Sequence, residues 1–247
     1  MSRSILFGFH TVGGRLKTAP ETVHEVLIDG ARRDGRMRQF VVRLKESGVR
    51  WIETDEAAVA RLAGNSRHQG VAARVEPLPM ARTVIELLDG LDPAAGAPLV
   101  LVLDGVTDPH NLGACLRVAD GAGATAVIAP KDHAVAINAT VSKVASGAAD
   151  SVPYLMVTNL ARALNELKDA GWKVVGLSDE AESSVYDADL SGPTALVLGA
   201  EGPGLRQLTK KTCDALVSIP MQGAVESLNV SVAAGVCLYE ALRQRRA

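Results

Sequence analysis

Residues 196–240, reading LVLGAEGPGLRQLTKKTCDALVSIPMQGAVESLNVSVAAGVCLYE, constrain the fold more than any other stretch. Two short apolar runs, 196–198 and 215–219, each lead into a polar or glycine-rich turn, and each turn leads into a helical pattern. Apolar strand, loop, helix is the repeating unit of a parallel sheet, whose loops gather along one edge where ligands bind. The loops carry Glu201, Ser227 and Asn229, a carboxylate, a hydroxyl and an amide, next to glycines that let a ligand approach the main chain closely. The stretch reads as an active site, and the rest of the chain as what feeds it.

The same order recurs upstream. LVLVLD (99–104) is a continuous apolar strand ending in an acid; GVTDPHN is a loop in which Asn111 is placed to cap a helix over 112–121. Strands are expected at 125–130, in VPYLMV, and at 172–178, with helices near 138–147 and 159–169. Residues 179–193 are polar and turn-rich. The final units are expected as strand 196–199, helix 204–211, strand 215–219 and helix 229–243. With 47% apolar but only 3% aromatic residues, the core must be filled by Val, Leu, Ile and Ala, as in an α/β protein.

The 247 residues suffice for one large domain or two modest ones. Prolines 77, 79, 93 and 98 and the run AAGAP mark a change of composition, so the expected division is 1–76, a linker at 77–98, and 99–247. In the first part VHEVLID (23–29) reads as a strand, and 34–47 as a helix with Met37, Phe40, Val41 and Leu44 on one face, closed by Gly48. Alternating strands and helices make it a small α/β unit. Net charge is −2, so any basic footprint is local. It lies between residues 32 and 50, where Arg32, Arg33, Arg36, Arg38, Arg43, Lys45 and Arg50 face only Asp34 and Glu46. A phosphate backbone suits such a cluster, and so does a solvated helix face.

Several chemistries lack their signatures. GAG at 121–123 follows a helix and precedes a strand, the reverse of a dinucleotide-binding turn, and there is no Walker lysine motif or GxSxG elbow. The five histidines never pair at metal-ligand spacing, so no metal is expected. Cys115, Cys213 and Cys237 sit in helical or apolar contexts and read as buried thiols. No apolar run is long enough to span a bilayer and no leader pattern is seen, which fits a reduced, cytoplasmic protein with no membrane partner. Arg117 interrupts an otherwise small and apolar helix, as either a ligand contact or an exterior ion pair. Glu201, Ser227 and Asn229 can each be explained as helix-start residues. Three such loops in consecutive strand–helix units are harder to explain by capping alone.

Three segments carry a family resemblance: DGVTDPHNLGACLRVADGAGATAVI (104–128), LVLGAEGPGLRQL (196–208) and VSIPMQGAVESLNVSVAAGVCLYE (217–240). In order and spacing they resemble the SpoU-type RNA ribose methyltransferases of the SPOUT superfamily. FGFHTVGGRL and RHQGVAARV in the first part are similar to the ribosomal-protein-like substrate-binding domain found in that family. The resemblance implies an α/β fold whose C-terminal domain holds a deep trefoil knot, an obligate homodimer, and S-adenosyl-methionine bound bent within the knot. It implies that main chain at Gly199, Ile219 and Leu228 holds the cofactor, and that Asn111, Arg117, Glu201, Ser227 and Asn229 form the active-site set. Arg117 would contact the target ribose and a nearby phosphate and assist removal of the 2'-proton, oriented by Asn111 and Glu201. Ser227 and Asn229 would shape the ribose site. Arg32, Arg33, Arg36, Arg38 and Arg43 are then expected to contact RNA rather than DNA. The substrate implied is a guanosine ribose in the peptidyl-transferase loop of 23S rRNA, free or in an assembling large subunit. Members with the same catalytic domain modify tRNA or other rRNA sites, and that remains the alternative.

Overall fold

A computed structural model describes residues 4–78 and 80–246, and the chain divides into two units between residues 79 and 80. In the first unit the elements are β1 (Ser4–Phe7), α1 (Phe9–Thr18), β2 (Val23–Asp29), α2 (Gly35–Ser47), β3 (Trp51–Thr54), α3 (Glu56–Ala63) and β4 (Val71–Val75). The sheet order is β1-β4-β2-β3, with β2 and β3 parallel and the other pairs antiparallel. Along β4 the residues alternate: Val71, Ala73 and Val75 enter a core with Phe9, Val12 and Leu16 of α1 and Met37, Phe40 and Leu44 of α2. Trp51 is half-buried against that core. Asp34 caps α2 by accepting the Arg36 and Met37 N–H groups, and Gly48 ends it in the left-handed region at φ 68°. The helical face expected from the 3.6-residue period is therefore the one buried, apart from the half-buried Val41.

The second unit contains α4 (Val84–Asp89), β5 (Leu99–Asp104), α5 (Pro109–Gly121), β6 (Ala126–Pro130), α6 (Ala139–Ala145), β7 (Tyr154–Val157), α7 (Leu160–Asp169), β8 (Lys173–Leu177), β9 (Thr194–Gly199), α8 (Gln207–Thr212), β10 (Ala215–Val217) and α9 (Val230–Gln244). Six parallel strands run in the order β10-β8-β9-β5-β6-β7. All six residues of β5 are buried, which explains its unbroken apolar run, because both faces of the sheet are covered. Leu99, Leu101 and Leu103 pack with α5, α6 and α9, while Val100 and Val102 pack with α4 and α7. Each such side chain contributes roughly 1.5–3 kcal/mol by leaving water. Trp172, 5% exposed, closes the second of these cores. Val84 and Leu87 of α4 are buried there too, so the stretch expected as a linker supplies an element of the second unit's core.

Close packing on the first face depends on one glycine. A Cβ at Gly113 in α5 would lie 2.7 Å from Val144 Cβ and 2.9 Å from the Val141 carbonyl, so only glycine lets α5 and α6 meet this closely. Because all the strands are parallel, the loops after β5, β8, β9 and β10 leave from the same edge. That edge holds every polar group expected from the loops.

Candidate active site

The loop after β5 begins with Gly105 at φ 96° and ends where Asp108 caps α5, accepting N–H groups of His110 (2.6 Å) and Asn111 (3.0 Å). Pro109 occupies the first helical position, where its missing donor costs nothing. The cap is thus Asp108 and not Asn111 as the sequence suggested. A carboxylate three residues earlier takes the helix end, and the Asn111 amide is left for other work.

That amide meets the loop after β9. The Asn111 Nδ2 donates to Glu201 Oε1 at 3.2 Å, and the Asn229 Nδ2 donates to the same oxygen at 2.6 Å and to Asn111 Oδ1 at 2.9 Å. Three residues separated by up to 118 positions therefore form one closed set. Asn229 also caps α9, its Oδ1 accepting from Ser231 N at 2.9 Å and Ser231 Oγ at 2.6 Å. Capping and cluster formation coexist in this one side chain, because an amide accepts through oxygen and donates through nitrogen. Glu201 caps nothing: α8 starts only at Gln207, later than the expected 204.

Gly202 and Gly204 both have positive φ, 85° and 66°, and the Gly204 N–H closes a turn on the Ala200 carbonyl at 3.0 Å. The turn folds back onto Gly199 so tightly that a Cβ there would lie 2.0 Å from the Gly204 carbonyl carbon. Below it Asp104, its side chain wholly buried, accepts from the Arg206 backbone N–H at 3.0 Å and from Arg206 Nε at 2.6 Å. This pair was missed in the sequence. Its only signal there was an acid ending a fully apolar strand.

Beside the cluster, a cleft of roughly 580 Å³ runs between the loops after β8 and β10. Leu177, Ile219, Pro220, Met221, Leu228 and Ala233 supply apolar wall, and Ser178, Asp179, Glu180, Glu226 and Ser227 supply polar groups. That volume is typical of a small-molecule site. Two of the expected cofactor residues, Ile219 and Leu228, line it; Gly199 does not, its open side being filled by the Gly204 backbone. Ser227 lines the cleft and makes no hydrogen bond among the described residues. Glu180 is ion-paired with Lys210, whereas Asp179 and Glu226 have no ion-pair partner among the described residues. Ser178 lies at the end of the strand expected over 172–178, and Asp179 and Glu180 in the stretch expected as turn-rich; all three follow the end of β8.

Arg117 stands apart from these groups. It lies on α5 six residues after Asn111, about 1.7 turns, and so faces another direction; it is exposed and has no partner among the described residues. Below the cluster Cys115 is buried, and that burial, aided by the Glu201 charge, pushes its thiol up to about 12. Cys237 is likewise pushed up to about 12 by burial and Cys213 to about 11, chiefly by burial, so none offers a thiolate nucleophile. No group of three or more His, Cys, Asp or Glu suited to a metal is present among the described residues. No helix among them is long and apolar enough to cross a membrane.

In the first unit the basic cluster is partly tied up. Arg32 and Arg36 place their guanidinium carbons 4.9 and 4.8 Å from the centre of the Phe9 ring. Arg32 also pairs with Asp34 and donates to the Gln69 carbonyl at 2.6 Å, so it serves the fold. Arg33 lies 3.8 Å from Glu53. Arg36, Arg38 and Arg43 are exposed, and Arg43 reaches toward α1 at Gly13.

Comparison with known proteins matches both units to family models. Residues 98–239 match the SpoU rRNA Methylase family, and residues 5–81 match the RNA 2'-O ribose methyltransferase substrate-binding family. The chain is 59% identical to a 23S rRNA (guanosine-2'-O-)-methyltransferase RlmB of Ralstonia nicotianae, over 99% of this chain and 98% of that protein. The RlmB of Photobacterium profundum is 49% identical, over the full length of both. Among solved structures, an RNA 2'-O ribose methyltransferase superposes with a TM-score of 0.69 at 29% identity, covering 99% of this chain and 90% of that one. The SpoU methyltransferase AviRb of Streptomyces viridochromogenes, in complex with the cofactor AdoMet, gives 0.67 at 26% identity, covering 99% and 91%. Both units and the order of the three motifs agree: the chain belongs to the SpoU family of RNA 2'-O-ribose methyltransferases.

Proposed function

We propose that the chain methylates the ribose 2'-hydroxyl of a guanosine in the peptidyl-transferase loop of 23S rRNA, as free rRNA or within an assembling large subunit. The coarse reaction goes with the family: S-adenosyl-methionine supplies an activated methyl group, and RNA receives it. The finer target rests on near-full-length identity to proteins named for 23S rRNA guanosine. The observation that carries the chemistry is the Asn111–Glu201–Asn229 set next to a cleft whose wall includes Ser227 and Leu228.

The cleft fits the donor by its chemistry. Leu177, Ile219, Leu228 and Ala233 suit an adenine face, and the carboxylates of Asp179 and Glu226 suit a cationic ligand. Gly199, outside the cleft lining and packed on the Gly204 backbone, would add to the cofactor set only through its main-chain groups. Because the donor carries its own leaving group, the protein's work is to position a hydroxyl and manage one proton. Asn111 and Glu201 hold the ribose side, and Ser227 and Asn229 shape it. Arg117 contacts the ribose and its phosphate; a guanidinium is already protonated at neutral pH and cannot take the 2'-proton itself, so it assists by holding positive charge against the developing 2'-oxyanion while a nearby phosphate oxygen helps take the proton.

A homodimer formed over the α9 face completes the reading. Val232 and Tyr239 on that helix are 51% and 52% exposed one heptad apart, an apolar stripe that a second copy would cover. The first unit, as 1–76, acts as the RNA-holding domain through Arg36, Arg38 and Arg43, with Arg32 and Arg33 shaping that surface. Residues 77–98 lead into the methyltransferase domain, expected at 99–247, with α4 of that stretch already packed into its core. That domain carries the trefoil knot, which brings the segment from 196 onward against the 104–117 segment. The protein works in the cytoplasm, where its RNA is.

One experiment tests the target. Purified protein is incubated with methyl-labelled S-adenosyl-methionine and separate rRNA and tRNA pools from cells lacking it, and the label is mapped. Label on a single 23S guanosine is expected; label on tRNA alone refutes the target. Arg117→Ala is expected to abolish transfer with donor binding unchanged, and a near-normal rate would remove Arg117 from the mechanism.

A further inference from the structure

The ion pair beneath the catalytic loop, a buried Asp104 with a half-exposed Arg206, has a place in the reaction. We infer that Asp104 and Arg206 are positioning residues that set the location of Glu201 for methyl transfer. This inference rests on the proposed ribose-side role of Glu201.

The loop 200–206 should be hard to hold. It contains Gly202 and Gly204, both left-handed, and its tip carries a long, exposed carboxylate. Glycine gives such a segment many conformations, so a fixed Glu201 needs an external gauge. Asp104 provides it twice. Its backbone lies opposite Gly199 in the β5–β9 ladder, fixing where the loop leaves the sheet. Its side chain takes Arg206, fixing where the loop returns: Oδ2 accepts the Arg206 main-chain N–H at 3.0 Å and Oδ1 accepts Nε at 2.6 Å. Both ends of the loop are thus referred to one residue whose side chain is fully buried. Between those ends the Ala200–Gly204 turn and the Gly199–Gly204 backbone contact leave no slack. Glu201 then meets Asn111 and Asn229 from a preset position.

Neither Asp104 nor Arg206 lines the cleft assigned to the donor, so the pair should act on transfer and leave donor binding alone. Asparagine at 104 keeps the shape but turns a donor toward the Arg206 N–H or guanidinium, where an acceptor is needed. Asp104→Asn is expected to lower kcat at least tenfold, with KM for RNA and the calorimetric Kd for S-adenosyl-methionine each within threefold of the parent. The decisive readout is a double-mutant cycle with Glu201→Ala. If Asp104 acts through Glu201, Asp104→Asn causes no further loss of kcat once Glu201 is gone. Losses that multiply, or a kcat within twofold of the parent for Asp104→Asn alone, overturn the inference. A near-normal kcat for Glu201→Ala would instead overturn the role of Glu201 itself. Should Asp104→Asn fold poorly, Arg206→Lys serves: it keeps a positive charge by the buried carboxylate but loses the planar fork. It is expected to lower kcat threefold to tenfold, again with no added effect on Glu201→Ala; an unchanged kcat or multiplying losses count against the pair.

Discussion

Asn229 has two jobs that substitution can separate. Its Oδ1 caps α9 by accepting from Ser231 N and Oγ, and its Nδ2 ties Glu201 to Asn111. Serine at this position can still cap, since Ser and Asn are comparable N-caps, but its short hydroxyl cannot bridge to two other loops. Alanine does neither. Losing the cap costs about 1 kcal/mol, which for a chain of this size lowers Tm by roughly 2–4 °C. Losing the bridge removes one hydrogen bond to a carboxylate and one to an amide. Buried, these would be worth about 2–4 kcal/mol; exposure brings them below that range, to roughly 1.5–2 kcal/mol. Spent on positioning, that is a rate loss on the order of tenfold to thirtyfold. Asn229→Ser is therefore expected to keep the cap's share of stability, melting roughly 2–4 °C above Asn229→Ala, yet show a kcat at least about tenfold below the parent. Asn229→Ala should melt lower with the same kcat as the serine variant. Scanning calorimetry and single-turnover transfer of labelled methyl give the two quantities. If Asn229→Ser transfers at the parental rate, or if the two variants differ in rate as they do in Tm, Asn229 is a cap and nothing more.

Two further outcomes follow from the last helix. Arg243 and Gln244 donate to the Glu240 carboxylate and hold it at about 2, below the ordinary glutamate range. A depressed carboxyl contributes stability at neutral pH that is lost as pH falls from the ordinary range toward 2, so Glu240→Gln should flatten the fall in Tm on that acid limb. Melting curves between about pH 5 and 2.5 check this, and an unchanged slope refutes it. Arg245 donates to the Leu190, Ala97 and Gly192 carbonyls at 3.0, 3.0 and 2.7 Å, and more loosely to Pro98 at 3.4 Å. Arg245→Ala should cost about 2–3 kcal/mol in urea unfolding, and Arg245→Lys should recover less than half, because an ammonium cannot serve several carbonyls in a plane.

Much of the second unit could be read from the chain because its strands are buried on both faces and therefore spell continuous apolar runs. LVLVLD and TALVLG are the clearest, and they form adjacent strands in register, Leu99 with Thr194 through Asp104 with Gly199. Residues on the loops were harder. Asn111 looked like a cap because it sits at the edge of an apolar helical run, but Asp108 and Pro109 begin the helix earlier. Ser227, Asn229 and Glu201 were ambiguous for the same reason, since capping chemistry and ligand chemistry use the same side chains. For Glu201 and Asn229 the answer lies in contacts across 28 to 118 positions, which no local pattern encodes; Ser227 makes no such contact among the described residues. The Asp104–Arg206 pair was invisible on the same ground. In the first unit, composition indicated a basic cluster but not that Arg32 and Arg36 would stack on Phe9.

The chain's poverty in aromatic residues has a practical side. Its two tryptophans fall one to each unit: Trp51 half-buried on β3, and Trp172, 5% exposed, immediately before β8. Indole emission shifts and quenches according to its surroundings, so each unit carries its own intrinsic optical probe. With Trp51→Phe the fluorescence reports the second unit alone, and with Trp172→Phe the first. Coincident or separate denaturation curves from the two variants would then say whether the two units melt as one cooperative body or as two.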